Sequence, residues 1–300
     1  MDAGERFGLK IVVVRSPHSG SAGSVDIAAV RGILLQTADE VDVVEPGSED
    51  TFSEEVRSAA ADASVVVAVG GDGTFNLVVN ALEDRTGDVA FGLLPTGTGN
   101  DLARTLNLPD DVEHAARAVA AGRERWLDIG RARGDGVDRL FVNACIGGLP
   151  VAVDENVTPG IKTMLGPIAF LAGGVRAMAS FETFSAVLDG NEVPDCVAVD
   201  VGNGKTCGGG IPVWPEAVPD DGLLDGCALP AAGPVAGVKL ATKLRTGALG
   251  DIDEVMFSRG RKIEIGATPA VEINLDGELV GLQTPASFEI VSRLRIRVPG

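Results

Sequence analysis

Apolar and polar positions alternate in blocks along the first 125 residues, and the blocks predict strands and helices in turn. The largely apolar runs are typical of buried parallel strands; they lie at residues 9–14, 64–69 and 90–94, with a shorter one at 41–44. Segments of helical composition lie between and after them, ending near residue 36 and covering residues 52–62, 74–83, 101–106 and 112–121. This alternation predicts an α/β domain with a parallel sheet covered by helices on both faces.

The pattern changes near residue 125, where short strands begin to dominate. They are predicted at residues 126–132, 139–145, 184–188, 197–201, 223–229, 255–257, 262–265, 271–275 and 288–291. Asp-Gly pairs, which favour tight turns, separate several of them. The pattern predicts an all-β sandwich domain over residues 126–289, with residues 290–300 returning to the first domain.

Three of the predicted parallel strands end in turns rich in glycine and hydroxyl side chains. The turns are Ser16-Pro17-His18-Ser19-Gly20, Gly70-Gly71-Asp72-Gly73-Thr74 and Thr96-Gly97-Thr98-Gly99-Asn100-Asp101. Because the carboxyl ends of parallel strands share one edge of a sheet, these turns are expected to converge. Glycine lets a backbone approach an anion closely, and helix N-termini supply N–H groups, so the turns predict a phosphate site. Neither the second nor the third turn is a P-loop or a dinucleotide fingerprint.

Two carboxylates, Asp72 and Asp101, lie within these turns. A site for a bare anion would not favour carboxylates, whereas a site for Mg²⁺ together with phosphates would. Helix capping is the alternative interpretation for both aspartates.

The chain resembles the catalytic domain of the diacylglycerol kinase family, which includes bacterial soluble lipid kinases and sphingosine kinases and is distantly related to NAD kinases. The resemblance runs over nearly the whole chain. It is carried by VVVAVGGDGTFNLVVNAL, FGLLPTGTGNDLARTL, WLDIG, FVN, VGNG, GGGIPV, DGLLD and the late NLDGE. GGDGT is shared with NAD kinases, whereas PTGTGNDLAR and the late DGE are more particular to lipid kinases.

The resemblance implies ATP as phosphate donor and a lipid alcohol as acceptor. It implies a nucleotide site formed by Ser16, Pro17, His18, Ser19, Gly20, Gly70, Gly71, Asp72, Gly73, Thr74, Phe75, Asn76, Leu77, Thr98 and Asn100. It places Asp72, Asp101 and Asp128 in an acidic network, with Asp101 among the catalytic residues, and makes Asp276 or Glu278 the group that deprotonates the acceptor hydroxyl. It also implies a structural Mg²⁺ at Asp221, with main-chain oxygens of Val218 and Leu223. Two departures, Ser21 in place of Lys and Pro46 in place of Thr or Ser, bear on nucleotide affinity.

The composition argues against a nucleic-acid-binding protein and against a zinc protein. Acidic side chains outnumber basic ones 43 to 25, the net charge is −18 and only six residues are Lys, so binding to a phosphate backbone is disfavoured. Such a surface is typical of proteins that stay soluble at high salt, as in halophiles. The four scattered cysteines predict buried free thiols in a reducing compartment, not a zinc site.

Two alternatives to a lipid kinase remain at this stage. An NAD kinase is expected to carry an Asn-Glu pair after the GGDGT helix, and none follows Phe75, Asn76 and Leu77. A nucleotide-binding regulator without catalysis would be favoured if Asp276 faced solvent. The apolar stretches and the N-terminus lack the features of a membrane span or signal peptide. We therefore expect a cytoplasmic protein, with peripheral contact at the inner membrane face and a homodimer as open options.

Overall fold

The computed structural model describes residues 8–16, 25–148, 182–231, 240 and 242–300. Pro17, His18, Ser19 and Gly20 of the first glycine-rich turn lie outside these residues, as does Ser21. The chain divides into two compact units, the first formed by Met1–Leu127 and Arg293–Gly300 and the second by Asp128–Ser292. The boundary expected at residue 125 falls inside a strand, β5 (Arg123–Gly134).

The first unit is a parallel sheet with helices, as the sequence predicts. Its elements in chain order are β1 (Lys10–Arg15), α1 (Ile27–Leu34), β2 (Glu40–Val44), α2 (Glu49–Ala59), β3 (Val65–Gly70), α3 (Asp72–Ala81), β4 (Ala90–Pro95), α4 (Asp101–Thr105) and α5 (Val112–Ala121). The strand order is β2-β1-β3-β4, and β4 pairs in parallel with the end of β15 (Ala286–Val298). The interior strands β3 and β4 are buried at every position, which explains their continuous apolar sequence.

Side chains cap the surface helices where the sequence changes from loop to helix. Asp26 accepts a hydrogen bond from the Ala29 N–H at the start of α1, and Ser48 and Asp111 do the same for α2 and α5. Each cap satisfies a backbone donor that the helix itself leaves unpaired. Among the residues described, no helix is long and apolar enough to span a bilayer.

The second unit is antiparallel and all-β. Besides β5 and β15 it contains β6 (Val137–Phe141), β7 (Ala144–Gly148), β8 (Phe184–Leu188), β9 (Asn191–Gly202), β10 (Leu224–Pro230), β11 (Met256–Gly260), β12 (Lys262–Thr268), β13 (Glu272–Leu275) and β14 (Glu278–Gln283). The pairing order is β14-β13-β7-β9-β8-β12-β15, with β10 between β9 and β11 and with β5 paired to β6.

Both faces of the β7–β9–β10 region are covered. In β7, Cys145 belongs to one apolar cluster, whereas Ala144 and Ile146 belong to another that includes Trp214 and Leu249. Alternate residues of one strand therefore pack into two layers, which is the arrangement of a sandwich.

The predicted strand at residues 139–145 is wrong in one respect, because the structure divides it into β6 and β7. Val142 and Asn143 leave the strand pattern, and their N–H groups donate to the carboxylate of Asp276 at 2.7 and 2.9 Å. The interruption depends on a residue more than 130 positions away in the sequence. Local pattern therefore could not reveal it.

All four cysteines are free and buried, as the sequence predicts. Burial raises the pKa of the Cys145 and Cys227 thiols well above the ordinary value, with the nearby carboxylate of Asp200 adding to the effect. Both therefore remain protonated thiols at neutral pH.

Asp200 is a buried carboxyl group inside strand β9. It is 2% exposed, and it lies opposite Ile146 of β7 and Cys227 of β10. Its Oδ1 accepts a hydrogen bond from the Gly147 N–H at 3.1 Å. Burial raises the pKa of Asp200 to about 8, and the hydrogen bond from Gly147 offsets only part of that rise.

Replacing Asp200 by Asn is expected to flatten the pH dependence of stability. The folded chain keeps a proton that the unfolded chain, with a carboxyl pKa near 4, has released. This group therefore makes the free energy of unfolding fall as pH rises from about 4 to about 8, by up to roughly 1.4 kcal/mol per pH unit. Thermal or denaturant unfolding at several pH values measures the slope.

The matched control is Asp135→Asn, which makes the same chemical change at an exposed turn residue with φ of 44°. Asn tolerates that left-handed conformation, so the control should keep the wild-type slope. If Asp200→Asn and Asp135→Asn gave the same slope, Asp200 would not be titrating as described.

Candidate active site

The carboxyl ends of three parallel strands meet at one edge of the first unit's sheet. Arg15 at the end of β1 is in register with Val69 of β3, and Val69 is in register with Leu94 of β4. The predicted turns begin at this edge, and Ser16, which opens the first of them, is 7% exposed. The second and third turns are fully described, and they converge as expected.

The second and third turns touch backbone to backbone. A Cβ atom added to Gly97 would lie 2.7 Å from the Cα of Gly71, which is closer than real Cβ atoms approach. The Thr96 N–H donates to the Gly70 carbonyl at 2.9 Å. A side chain on Gly70 would collide with Thr74. These glycines are therefore required by the approach of the two turns.

Asp72 joins the two turns through its side chain. Its Oδ2 accepts a hydrogen bond from the Asp101 N–H at 2.8 Å, and its Oδ1 accepts one from the Leu102 N–H at 3.0 Å. Helix capping, the alternative to a metal ligand, therefore describes Asp72, which caps α4 from a distance in sequence. The first two amides of α4 are satisfied by this carboxylate, so a phosphate would find its donors elsewhere.

The amino end of α3 differs from that of α4 because its N-cap residue has no side chain. Its N-cap residue is Gly71, which has no side chain that could make the capping hydrogen bond found at α1, α2 and α5. Next to it, two buried polar atoms have no hydrogen-bond partner among the described residues, Thr96 Oγ1 and Asn100 Oδ1. Asn100 adopts the left-handed conformation, with φ of 53°. The backbone amides at this helix end and the Thr96 hydroxyl can donate to an anion, whereas Asn100 Oδ1 can only accept, for example from a hydroxyl group of a ligand.

The other predicted nucleotide residues of α3 divide into core and site positions. Phe75 is fully buried in edge-to-face contact with Phe91, so its side chain belongs to the core. Asn76 is 4% exposed, and its carbonyl and side-chain oxygens accept hydrogen bonds from the Asn80 side chain. Thr74 is 7% exposed and Leu77 is partly buried.

Two predicted residues of the third turn differ in exposure. Thr98 is exposed at the turn, where a hydroxyl is accessible. Asp101, the predicted catalytic residue of this unit, is 4% exposed and lies 3.4 Å from Arg104.

In the second unit, Asp276 forms a hairpin turn and anchors a neighbouring loop. Asp276 and Gly277 have φ of 49° and 98° and join β13 to β14, so the simple hairpin expected from Asp-Gly is present. The side chain of Asp276 is 3% exposed and accepts from the N–H groups of Val142, Asn143 and Ala144 at 2.7–2.9 Å. Glu278 follows on the exposed part of β14.

Buried amide side chains extend this contact into a network. Asn203 is 1% exposed, and its Nδ2 donates to the Val142 carbonyl at 2.9 Å and to the Asp128 carbonyl at 3.1 Å. The Asn143 carbonyl accepts from the Asn203 N–H at 2.8 Å. Asp128 Oδ2 accepts from the Gly222 N–H at 2.6 Å. Five separate segments of the second unit, counting that of Asp276, are thus held by one polar network.

The three residues predicted to hold a structural Mg²⁺ lie together but do not fit that ion. Asp221 Oδ1 accepts a hydrogen bond from the Leu223 N–H at 3.0 Å, and Oδ2 lies 2.5 Å from Nη2 of Arg259. The Val218 carbonyl accepts a long hydrogen bond from the Asp221 N–H at 3.4 Å. Within the described ranges, no group of three His, Cys, Asp or Glu residues could hold a metal. The Asp221 carboxylate is engaged by protein donors.

Comparison with known proteins places both units. Residues 10–132 match the diacylglycerol kinase catalytic domain, and residues 145–297 match the YegS C-terminal NAD kinase beta sandwich-like domain. A protein named probable lipid kinase YegS-like from Xanthomonas euvesicatoria pv. vesicatoria is 32% identical over 93% of this chain and 94% of its own length. The chain belongs to the YegS-like lipid kinase family.

A second relative and a solved structure are also similar to this chain. A protein of the same name from Pseudomonas syringae pv. syringae is 36% identical over 71% of this chain and 68% of its own length. A crystal structure of a diacylglycerol kinase from Bacillus anthracis str. Sterne has a TM-score of 0.77 at 24% identity, covering 97% of this chain and 98% of its own. The expected fold class, an α/β domain with parallel strands followed by a β-sandwich-like domain, is confirmed. Membership of a kinase family implies phosphotransfer with ATP as donor.

Sequence reasoning gave no role to Asn143, Asn203 or Arg259. Asn143 has low strand propensity within the apolar run of residues 141–145, but that propensity alone does not reveal the break, which depends on Asp276. Asn203 precedes a glycine directly after β9, which marks a turn. Arg259 carried no local signal, because its partners are distant in sequence.

Replacing Gly97 by Ala is expected to abolish nucleotide binding and to lower the melting temperature. The new methyl group would meet the Cα of Gly71, which is backbone and cannot turn aside. The two turns would have to separate. Calorimetric titration with a non-hydrolysable ATP analogue, together with thermal unfolding, measures both effects.

The control is Gly87→Ala, where an added Cβ meets nothing within 4 Å. It should bind nucleotide as wild type does. Normal binding by Gly97→Ala would show that the turns do not depend on their close approach.

Replacing Asp72 by Ala is expected to cost about 1–3 kcal/mol of stability through the loss of the α4 cap, and also to weaken nucleotide binding. Asp111→Ala removes a comparable cap from α5, where Asp111 accepts from the His114 N–H at 2.9 Å. Both variants should be less stable, but only Asp72→Ala should weaken binding of the ATP analogue. If the two variants bound the ATP analogue equally well, Asp72 would act only as a helix cap and the prediction would be wrong.

Proposed function

We propose that this protein transfers the γ-phosphate of ATP to the hydroxyl group of a lipid alcohol. The observation that carries the proposal is the close approach of the two glycine-rich turns of the first unit, with the amino end of α3 beside them. Family membership supports the reaction type. The names of the relatives, which call those proteins lipid kinases, support the acceptor class.

The nucleotide is proposed to lie at the second and third turns. Gly71 and Gly97 bring two backbones together, and the α3 amides and the Thr96 hydroxyl supply donors for phosphate oxygens, while Asn100 Oδ1 would accept from a hydroxyl group of the nucleotide. Donors that are held in place before a ligand arrives lose little entropy when they bind it. Phosphoryl transfer depends mainly on this kind of alignment and charge stabilisation.

Glu278 is our candidate for the group that takes the proton from the acceptor hydroxyl. Asp276 is buried and already accepts from three N–H groups, which is the environment of a structural carboxylate. Glu278 is exposed two residues later, on a strand that the hairpin holds in position. We therefore propose Asp276 as a positioning residue and Glu278 as the base.

The chemistry follows from these roles. ATP, when bound, supplies the phosphoryl group, and the bond between its γ-phosphorus and the bridging oxygen breaks, leaving ADP. Glu278 takes the proton of the lipid hydroxyl, whose oxygen forms the new bond to phosphorus. We also propose that Mg²⁺ accompanies the nucleotide, with Asp101 as its candidate ligand, but no step above depends on that ion.

A lipid acceptor would require the protein to meet a membrane surface. A chain of net charge −18 is repelled by an anionic bilayer, so such a contact would rest on apolar residues or a local basic patch. We propose a transient contact at the inner membrane face for this reason.

The wild-type protein is expected to move label from γ-labelled ATP into the organic phase when supplied with Mg²⁺ and a lipid extract from its own source. Glu278→Gln is expected to reduce that label by about 100-fold or more, since it removes a general base. It should unfold at the wild-type temperature, because Glu278 is exposed. Thin-layer chromatography of the organic phase then identifies the product.

Asp276→Asn serves as the comparison, because it removes the charged acceptor of three N–H groups and should lower both the melting temperature and turnover. Label found only in NADP, when NAD is added, would contradict the lipid assignment. Undiminished labelling by Glu278→Gln would contradict its role as base while leaving the kinase assignment intact.

A further inference from the structure

We infer that Arg259 is the cation that holds the turn at residues 219–225, in the place on the Asp221 carboxylate where the family resemblance puts Mg²⁺. The inference concerns the second unit alone and does not depend on the proposed function.

One guanidinium contacts two carboxylates of this turn. Nη2 of Arg259 lies 2.5 Å from Oδ2 of Asp221, and Nε lies 3.5 Å from Oδ1 of Asp225. The second contact is a cross-strand pair, because Asp225 of β10 lies directly opposite Arg259 of β11. Neither carboxylate is fully exposed, at 27% for Asp221 and 16% for Asp225. The planar fork of Arg suits such a double contact, whereas Lys offers a single point charge.

The other oxygen of the Asp221 carboxylate also has a protein donor. Asp221 Oδ1 accepts from the Leu223 N–H, so these two residues are bound to each other as acceptor and donor. Mg²⁺ requires oxygen ligands at about 2.0–2.1 Å in near-octahedral geometry. A guanidinium 2.5 Å from Oδ2 stands on the same carboxylate, and its charge repels a divalent cation.

The same turn also contacts the buried polar network of the second unit. On its other side the turn is bonded to Asp128. The Pro219 carbonyl accepts from the Asp128 N–H at 2.7 Å, and the Gly222 N–H donates to the Asp128 carboxylate at 2.6 Å. Asp128 accepts in turn from Asn203. Arg259 therefore stabilises one end of the network that also positions Asp276.

The test is thermal unfolding of the full chain without nucleotide. Wild-type protein should melt at the same temperature in EDTA and in Mg²⁺ at matched ionic strength. Arg259→Gln should melt about 2–5 °C lower. Arg259→Lys should fall between the two, because it keeps the charge and loses the fork.

The control is Arg133→Gln, which breaks another cross-strand Arg–Asp pair, with Asp138, in which both side chains are about half exposed. It should shift the melting temperature by no more than about 1 °C. A saturable rise of the wild-type melting temperature with Mg²⁺ that disappears in Asp221→Asn would overturn the inference. So would a melting temperature of Arg259→Gln equal to that of Arg133→Gln. If Arg259→Gln does not fold, the wild-type titration and Arg259→Lys decide.

Discussion

The close approach of Gly71 and Gly97 is the constraint on which the first unit's site depends. Two adjacent parallel strands lie a fixed distance apart, and the turns that follow them can meet only if neither carries a side chain at the contact. Once they meet, Asp72 reaches the first amides of α4. The carboxylate thus ties one turn to the next, and the amino end of α3 beside them is the place that we propose for an anion.

The second unit relies on an analogous device, in which a buried carboxylate organises backbone that has left its strand. Asp276 gathers three successive N–H groups where β6 gives way to β7. Leaving those donors buried without an acceptor would be costly, so the interruption of the strand and the aspartate require each other. In both units an aspartate next to glycine accepts hydrogen bonds from successive backbone N–H groups.

The parts of this fold that could be predicted are those whose cause is local. Continuous apolar runs predict the buried strands, because both faces of the sheet are covered there, and the helical composition of residues 112–121 predicts α5 with its observed ends. The glycine-rich turns at the ends of the parallel strands are also predicted by the local sequence. The division at Val142 and Asn143, the cap that Asp72 gives to α4 and the contacts of Arg259 were not, because each joins residues about 30 or more positions apart.

The same distinction bears on how family resemblance is used for individual residues. The DGLLD segment matches the family motif, and its Asp221 lies beside Val218 and Leu223 as the motif implies. Yet the charge that balances this carboxylate comes from β11, a strand outside the motif. A short motif specifies the acceptor and the shape of its turn, whereas the partner across the sheet decides which cation neutralises it. Before a role is assigned to a residue because it matches a motif, the side chains on the neighbouring strand therefore have to be examined for competing partners.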